Sequence, residues 1–138
     1  MRIFEKDGKH NFVDENNVYV GYDSGQDCCE HADWFISDEA FLSTPEFLKN
    51  YGPVSELLKP SILNGWVFDI DFFNEMNIEN PESCSMAIFR IIKGEEQKFL
   101  HLFNCHNGYY GHGFKMDFTD KKGLETFSDK KPVREGNL

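Results

Sequence analysis

The feature that most constrains this chain is a pair of apolar arms around a short polar turn, SMAIFRIIKGEEQKFLHLFNCH, residues 85–106. A glycine-containing break between two β-forming runs, here at Gly94, is typical of a hairpin. Two further segments alternate apolar and polar residues: WVFDIDFF (66–73) and GFKMDF (113–118). Such alternation indicates strands with one buried face, and in the first segment it places Phe68, Ile70 and Phe72 together.

The N-terminal residues add shorter strands. RIFEKDGKHNFV (2–13) contains two extended pieces around Asp7-Gly8, a pair that favours a tight turn. NVYVGYD (17–23) follows, and Ser24-Gly25 then ends the extended run.

Between residues 38 and 63 the pattern changes. Thr44-Pro45-Glu46 has the form of a helix start, with proline in the first turn and an acid near the positive end of the helix dipole. One or two short helices are therefore predicted in this region. The predicted class is α+β, a single compact domain over 1–138 with an antiparallel or mixed sheet. Residues 1–118 are expected to form the ordered core and 119–138 a polar, loosely held tail.

Charge is unevenly distributed along the chain. The formal net charge is −10, and residues 1–82 hold 17 acids against 5 Lys and Arg, whereas residues 83–138 hold 7 against 9. Nucleic-acid binding is disfavoured, and a basic protein partner is expected for residues 1–82. No secretory signal or membrane span is recognised near the N-terminus or elsewhere, which predicts a cytoplasmic protein. In a reducing compartment the four cysteines are expected to be thiols or ligands rather than disulfides.

Two clusters, CCEH (28–31) and CHNGYYGH (105–112), contain residue types that bind zinc. The candidate ligands are Cys28, Cys29, His31, Cys105, His106 and His112. Adjacent cysteines in an extended chain point to opposite faces, and the spacing differs from the Cys-x₂₋₄-Cys pattern of known zinc sites. A zinc-binding protein or a metal-dependent hydrolase requires the fold to join the two clusters.

A cysteine nucleophile is a further alternative. Cys28 or Cys29 combined with a histidine supplies the residue types that such an enzyme needs. The acids on either side, Asp27 and Glu30 among them, would raise the pKa of a thiol and disfavour the reactive thiolate. Buried cysteine is the simpler interpretation.

The segment NGYYGHGF (107–114) is rich in glycine and contains aromatic residues that would project from a turn. Aromatic residues on a rigid turn can contact a ligand or partner, so the predicted binding surface comprises Tyr109, Tyr110, His112 and Phe114. The alternative is a tight hairpin whose tyrosines pack over the edge of the sheet.

The elements QDCCE (26–30) and HNGYYGHGF (106–114) together resemble a family of small bacterial and phage proteins that has no established activity. The resemblance implies a compact β-rich domain in which the two elements lie near each other. The sequence favours a small acidic binding protein over an enzyme. No motif indicates a nucleotide, flavin or haem cofactor.

Overall fold

The computed structural model describes residues 1–25, 31–43, 45, 48, 60, 63–76, 84–105, 111–118 and 133–138. Strands account for 69% of these residues, in two antiparallel sheets, so the predicted α+β class is wrong and the described part of the protein is all-β. The class differs because a second sheet, and not the predicted helices, buries the apolar face of the first sheet. Most of the predicted helical region, including residues 49–59, lies outside the described residues.

The described residues form nine strands in the two sheets. Sheet A has the order β1 (Arg2–Lys6), β2 (Lys9–Val13), β3 (Val18–Asp23), β8 (Gly113–Phe118), β9 (Arg134–Asn137). Sheet B has the order β4 (His31–Ser37), β7 (Glu96–Cys105), β6 (Cys84–Lys93), β5 (Val67–Met76).

Local turn chemistry explains the tight hairpins. Asp7 and Gly8 have φ values of 54° and 76°, the left-handed conformation that a two-residue hairpin turn requires, and Lys6 pairs with Lys9 across it. Gly94 has a φ of 60° at the turn between β6 and β7. The predicted strands at the N-terminus, the 85–106 hairpin and the 113–118 strand are therefore confirmed.

The main core lies between the two sheets. Its members include Phe12, Tyr22, Trp34, Trp66, Phe68, Phe89, Leu100, Leu102, Phe114 and Met116. The hydroxyl of Tyr22, on sheet A, donates a 2.7 Å hydrogen bond to the carbonyl oxygen of Phe103 on sheet B. The sheets are thus joined by apolar packing and by at least one buried polar contact.

Sheet B is buried on its second face as well. There a separate cluster contains Phe35, Leu48, Cys84, Met86, Phe103 and Cys105. Burial on both faces accounts for the nearly continuous apolar runs in the central strands β6 and β7.

A bulge in β5 alters the alternation expected from the sequence. Phe68 pairs with Ile91 but Phe73 pairs with Phe89, so the intervening residues of β5 have no regular partners. Phe73 packs against the core, and Ile70, predicted to share the face of Phe68, is 37% exposed. The bulge explains this difference because it reverses the inward and outward positions along the strand.

The C-terminal residues are held in sheet A. Arg134–Asn137 pair with β8, and the backbone groups of His112 and Leu138 exchange two hydrogen bonds of 2.9 Å. Residues 119–132 of the predicted tail lie outside the described residues. Within the described ranges, no helix is both long and apolar enough to cross a membrane.

Candidate functional site

Several predicted site residues lie outside the described part of the chain. These are Cys28, Cys29 and His106 of the proposed metal set, and Tyr109 and Tyr110 of the proposed binding surface. The structure does place His31, Cys105, His112 and Phe114.

One described residue from each cysteine-histidine cluster lies in sheet B. His31 on β4 is the cross-strand partner of Cys105 on β7, and Cys105 is in turn opposite Cys84 on β6. Cys84 and Cys105 form a disulfide, which corrects, for these two cysteines, the expectation of thiols or ligands. Directly opposite positions on antiparallel strands bring the two β-carbons close enough for this bond.

His112 contributes to the backbone network of sheet A. It is 3% exposed, and its Nδ1 lies 2.7 Å from the carbonyl oxygen of Asp23. The side chain of Phe114 is in the core between the sheets. Neither side chain is therefore presented at the surface as the binding hypothesis expected. Among the described residues, no group of three or more His, Cys, Asp or Glu side chains could hold a metal ion.

An open groove of about 480 Å³ lies on the face of sheet A that points away from sheet B. We call it the sheet groove. It crosses β2, β3, β8 and β9, and its lining residues include Lys9, Asn11, Gly21, Asp23, Gly113, Lys115, Glu135 and Asn137. These residues occupy alternate positions on their strands and so point to one face of the sheet.

Strand register arranges the lining in two parallel rows. In the first row Asn11 is opposite Gly21, Gly21 is opposite Lys115, and Lys115 is opposite Glu135. The second row runs two residues further along, where Lys9 is opposite Asp23 and Gly113 is opposite Asn137. Each row contains one lysine, one acid, one asparagine and one glycine.

The glycines form the floor of the sheet groove. A β-carbon at Gly21 would lie 3.5 Å from Asn11 Oδ1 and 3.6 Å from Tyr19 Cε2, which are ordinary contact distances. At Gly113 the nearest atom to such a β-carbon would be Asn137 Oδ1, at 3.5 Å. Both positions could therefore accept a side chain, and glycine there leaves the space above the two strands clear of side chains of the described residues.

Polar side chains surround this floor. Asn11 Nδ2 donates to the backbone oxygen of Lys9 at 3.2 Å, and Asp23 Oδ1 accepts from the backbone N–H of Gly25 at 3.2 Å. The side chains of Lys9, Glu135 and Asn137 make no hydrogen bond or ion pair within the part of the chain that the structure describes. Within the described residues, the groove thus offers donors and acceptors that are not already engaged.

Comparison of this chain with protein-family models, curated proteins and solved structures finds no match. The resemblance to small bacterial and phage proteins therefore stays a prediction, and the site is interpreted from its own chemistry.

One local feature of the sequence points to the sheet groove. Gly21 interrupts the outward-facing positions of its strand between Tyr19 and Asp23, and a glycine inside a strand often marks a close approach of another group. Its alignment with Lys115 depends on the pairing of β3 with β8, two strands far apart in sequence. No local pattern predicts that pairing.

Proposed function

We propose that the protein is a binding domain and that the sheet groove holds its ligand. The observation that carries the proposal is the side-chain-free floor at Gly21 and Gly113, surrounded by polar groups of four strands. Sites for small molecules are concave and use a few fixed polar groups to orient the ligand. A volume of about 480 Å³ is within the usual range for such sites.

Rigidity supports the same proposal. Strands β3 and β8 are interior strands of sheet A, with a hydrogen-bonded neighbour on each side. Side chains that project from such strands keep fixed spacings, so their donors and acceptors are positioned before the ligand arrives.

The metal alternative receives less support. A zinc-binding protein or metal-dependent hydrolase using residues 28–31 and 105–112 would draw on Cys105, but its sulfur is bonded to Cys84. The same bond leaves Cys28 and Cys29 as the cysteines available to the cysteine-nucleophile alternative, and both lie outside the described residues.

Filling the floor tests the proposed site. Gly21→Thr adds a β-branched side chain that suits a strand and whose methyl and hydroxyl groups occupy the groove. We expect the variant to fold as the wild type does and to lose binding of groove ligands. The measurement is an amide ¹H–¹⁵N NMR screen of small polar compounds, including sugars, amino acids and short peptides.

The matched control is Lys6→Thr, an exposed outward-facing position of β1 that does not line the groove. Compounds that shift the groove amides should do so in the control and fail to do so in Gly21→Thr. Compounds that bind only elsewhere, or bind equally to both variants, would contradict the proposal.

Two further expectations from the sequence, a basic partner and a cytoplasmic location, bear on this proposal in different ways. A basic partner for residues 1–82 is supported by the excess of acids there and would bind more weakly as salt is raised.

A cytoplasmic location is opposed by the Cys84–Cys105 disulfide, because such bonds persist mainly in oxidising compartments. Alkylating free thiols in intact host cells, before lysis, would show whether this pair is oxidised where the protein resides.

A further inference from the structure

We infer that the ligand of the sheet groove is a neutral oligosaccharide, an inference that rests on the proposed binding function. The charges, hydrogen-bonding groups and dimensions of the groove each bear on the ligand's chemistry.

The charges of the sheet groove balance. Lys9 faces Asp23 across one strand pair, and Lys115 faces Glu135 across another. The lining residues of each row therefore sum to a net charge of zero, although the whole chain has a net charge of −10, and Lys115 also lies 3.9 Å from the buried carboxylate of Asp117 on its own strand. A ligand of strong net charge would meet its like charge as often as its opposite. Electrostatic complementarity thus favours a neutral ligand.

The hydrogen-bonding groups suit hydroxyl groups. Each hydroxyl is one donor and two acceptors, and a carboxamide offers both kinds of group within one side chain. Asn11 and Asn137 stand at opposite sides of the groove, and the carboxylates and ammonium groups add acceptors and donors between them. A polyhydroxylated ligand can satisfy both kinds of group along its whole length.

The outward-facing side chains of the groove are all polar among the described lining residues. A peptide with apolar side chains would meet no outward-facing apolar side chain among these lining residues. The backbone groups of β3 and β8 are also engaged with their neighbours, so a peptide could not add a strand at the floor of the groove. Both observations favour a saccharide over a peptide.

The dimensions point to a short chain of sugars. Four adjacent strands span about 14 Å, because neighbouring strands lie about 4.8 Å apart. That length accommodates two or three sugar units laid across the strands.

The test uses the full chain and a defined set of probes. Neutral trisaccharides (cellotriose, maltotriose, mannotriose and N,N′,N″-triacetylchitotriose) are titrated alongside the anionic trigalacturonate and the zwitterionic tetraglycine, each to tens of millimolar. Calorimetry gives affinities, and amide NMR shifts locate the binding. We expect at least one neutral trisaccharide to bind saturably and to shift the amides of Gly21, Gly113, Asn11 and Asn137.

Three further results are expected of that trisaccharide. Its affinity should change less than about two-fold between about 0.05 and 0.5 M NaCl, because the ligand is uncharged and the lining residues of the groove sum to zero charge. Asn11→Ala and Asn137→Ala should each weaken binding by about five-fold, through loss of one or two hydrogen bonds. Gly21→Thr should weaken it by at least about ten-fold through steric overlap, whereas Lys6→Thr should have no effect.

The outcomes separate the two proposals. If tetraglycine or trigalacturonate shifts the groove amides and no neutral trisaccharide does, the saccharide inference is wrong while the binding function stands. If a trisaccharide binds but Gly21→Thr leaves its affinity unchanged, the saccharide site lies elsewhere and the inference is again wrong. If no probe shifts the groove amides, and the broader screen also finds no groove ligand, both proposals fail.

Discussion

His101 is a buried histidine that the fold holds in its neutral form. Its ring is fully buried and stacks on Phe35, with ring centroids 4.4 Å apart and planes at 4°. The backbone N–H of Phe41 donates to Nε2 at 3.0 Å, and Nδ1 lies 3.2 Å from the carbonyl oxygen of Phe99. These partners assign the ring proton to Nδ1. Burial lowers the pKa of His101 from 6.5 to about 4.

This depressed pKa makes stability depend on pH. Between pH 6.5 and about 4 the unfolded chain binds a proton at His101 that the folded protein excludes. The free energy of unfolding therefore falls as the pH falls through this window, by up to about 3 kcal/mol from this residue. His101→Gln removes the titrating group, so the variant, although less stable near pH 7, should lose less stability on acidification.

Urea unfolding of both proteins at pH 7 and pH 4.5 measures the effect. Some carboxyl groups also titrate in this range, such as Asp69, whose pKa is lowered by its hydrogen bonds and ion pair with Arg90. These groups are common to both proteins, so their contribution to the loss of stability cancels in the comparison. Equal losses on acidification in the wild type and His101→Gln would show that His101 does not couple folding to protonation.

Glycine is required at position 136 because a neighbouring ring packs against it and leaves no room for a side chain. A β-carbon there would lie 2.8 Å from Cζ and 2.9 Å from Cε1 of the buried Phe114 ring. Gly136→Ala should therefore destabilise the protein by about 1–3 kcal/mol, because the ring must shift within a packed core. Gly113→Ala is the matched control on the neighbouring strand, since its β-carbon meets nothing closer than 3.5 Å. Similar unfolding midpoints for the two variants in urea would contradict this explanation.

At the scale of elements, the parts of the fold with local causes were predictable. Asp7-Gly8 and Gly94 encode tight turns. The apolar arms on either side of Gly94 predicted the boundaries of one hairpin to within a residue or two. The bulge in β5 was not predictable, because both Phe68 and Phe73 reach the core only through their different pairings with β6. The pairing of β3 with β8 likewise joins distant segments, and it is the pairing that assembles the candidate site.

The Cys84–Cys105 disulfide connects the open ends of the β6–β7 hairpin, and the cysteines are 21 residues apart in sequence. Closing a loop of this size restricts the unfolded chain and is expected to stabilise the fold by about 3 kcal/mol. Reduction should therefore lower the free energy of unfolding by about that amount. Urea unfolding with and without a phosphine reductant, in a Cys28→Ser/Cys29→Ser background, checks the effect.

The control for that experiment replaces the bonded pair itself. Cys84→Ser/Cys105→Ser in the same background should show the lower stability with or without reductant. A reductant effect of equal size in this control would mean that the disulfide is not its source.

At the scale of the whole molecule, the two sheets are joined by a buried carboxylate as well as by their apolar core. Asp14 follows β2, is 5% exposed, and accepts backbone hydrogen bonds at Oδ1 from Asn16 and Val18, each 2.9 Å long. Its Oδ2 accepts a third, of 2.8 Å, from the backbone N–H of Phe68 on sheet B. One carboxylate thus orders the β2–β3 turn and connects it to β5.

This arrangement predicts that Asp14 is among the most sensitive polar positions in the fold. Asp14→Ala leaves three backbone donors without their acceptor, two of them buried, and should lower the free energy of unfolding by about 3 kcal/mol. Glu15→Ala, an exposed acid in the same turn, is the matched control and should change stability by less than about 0.5 kcal/mol. Urea unfolding gives both values, and amide hydrogen exchange at Val18 and Phe68 reports the two sides separately. If exchange accelerates at Val18 alone, the carboxylate orders only its own turn and the sheets are held together by apolar packing without it.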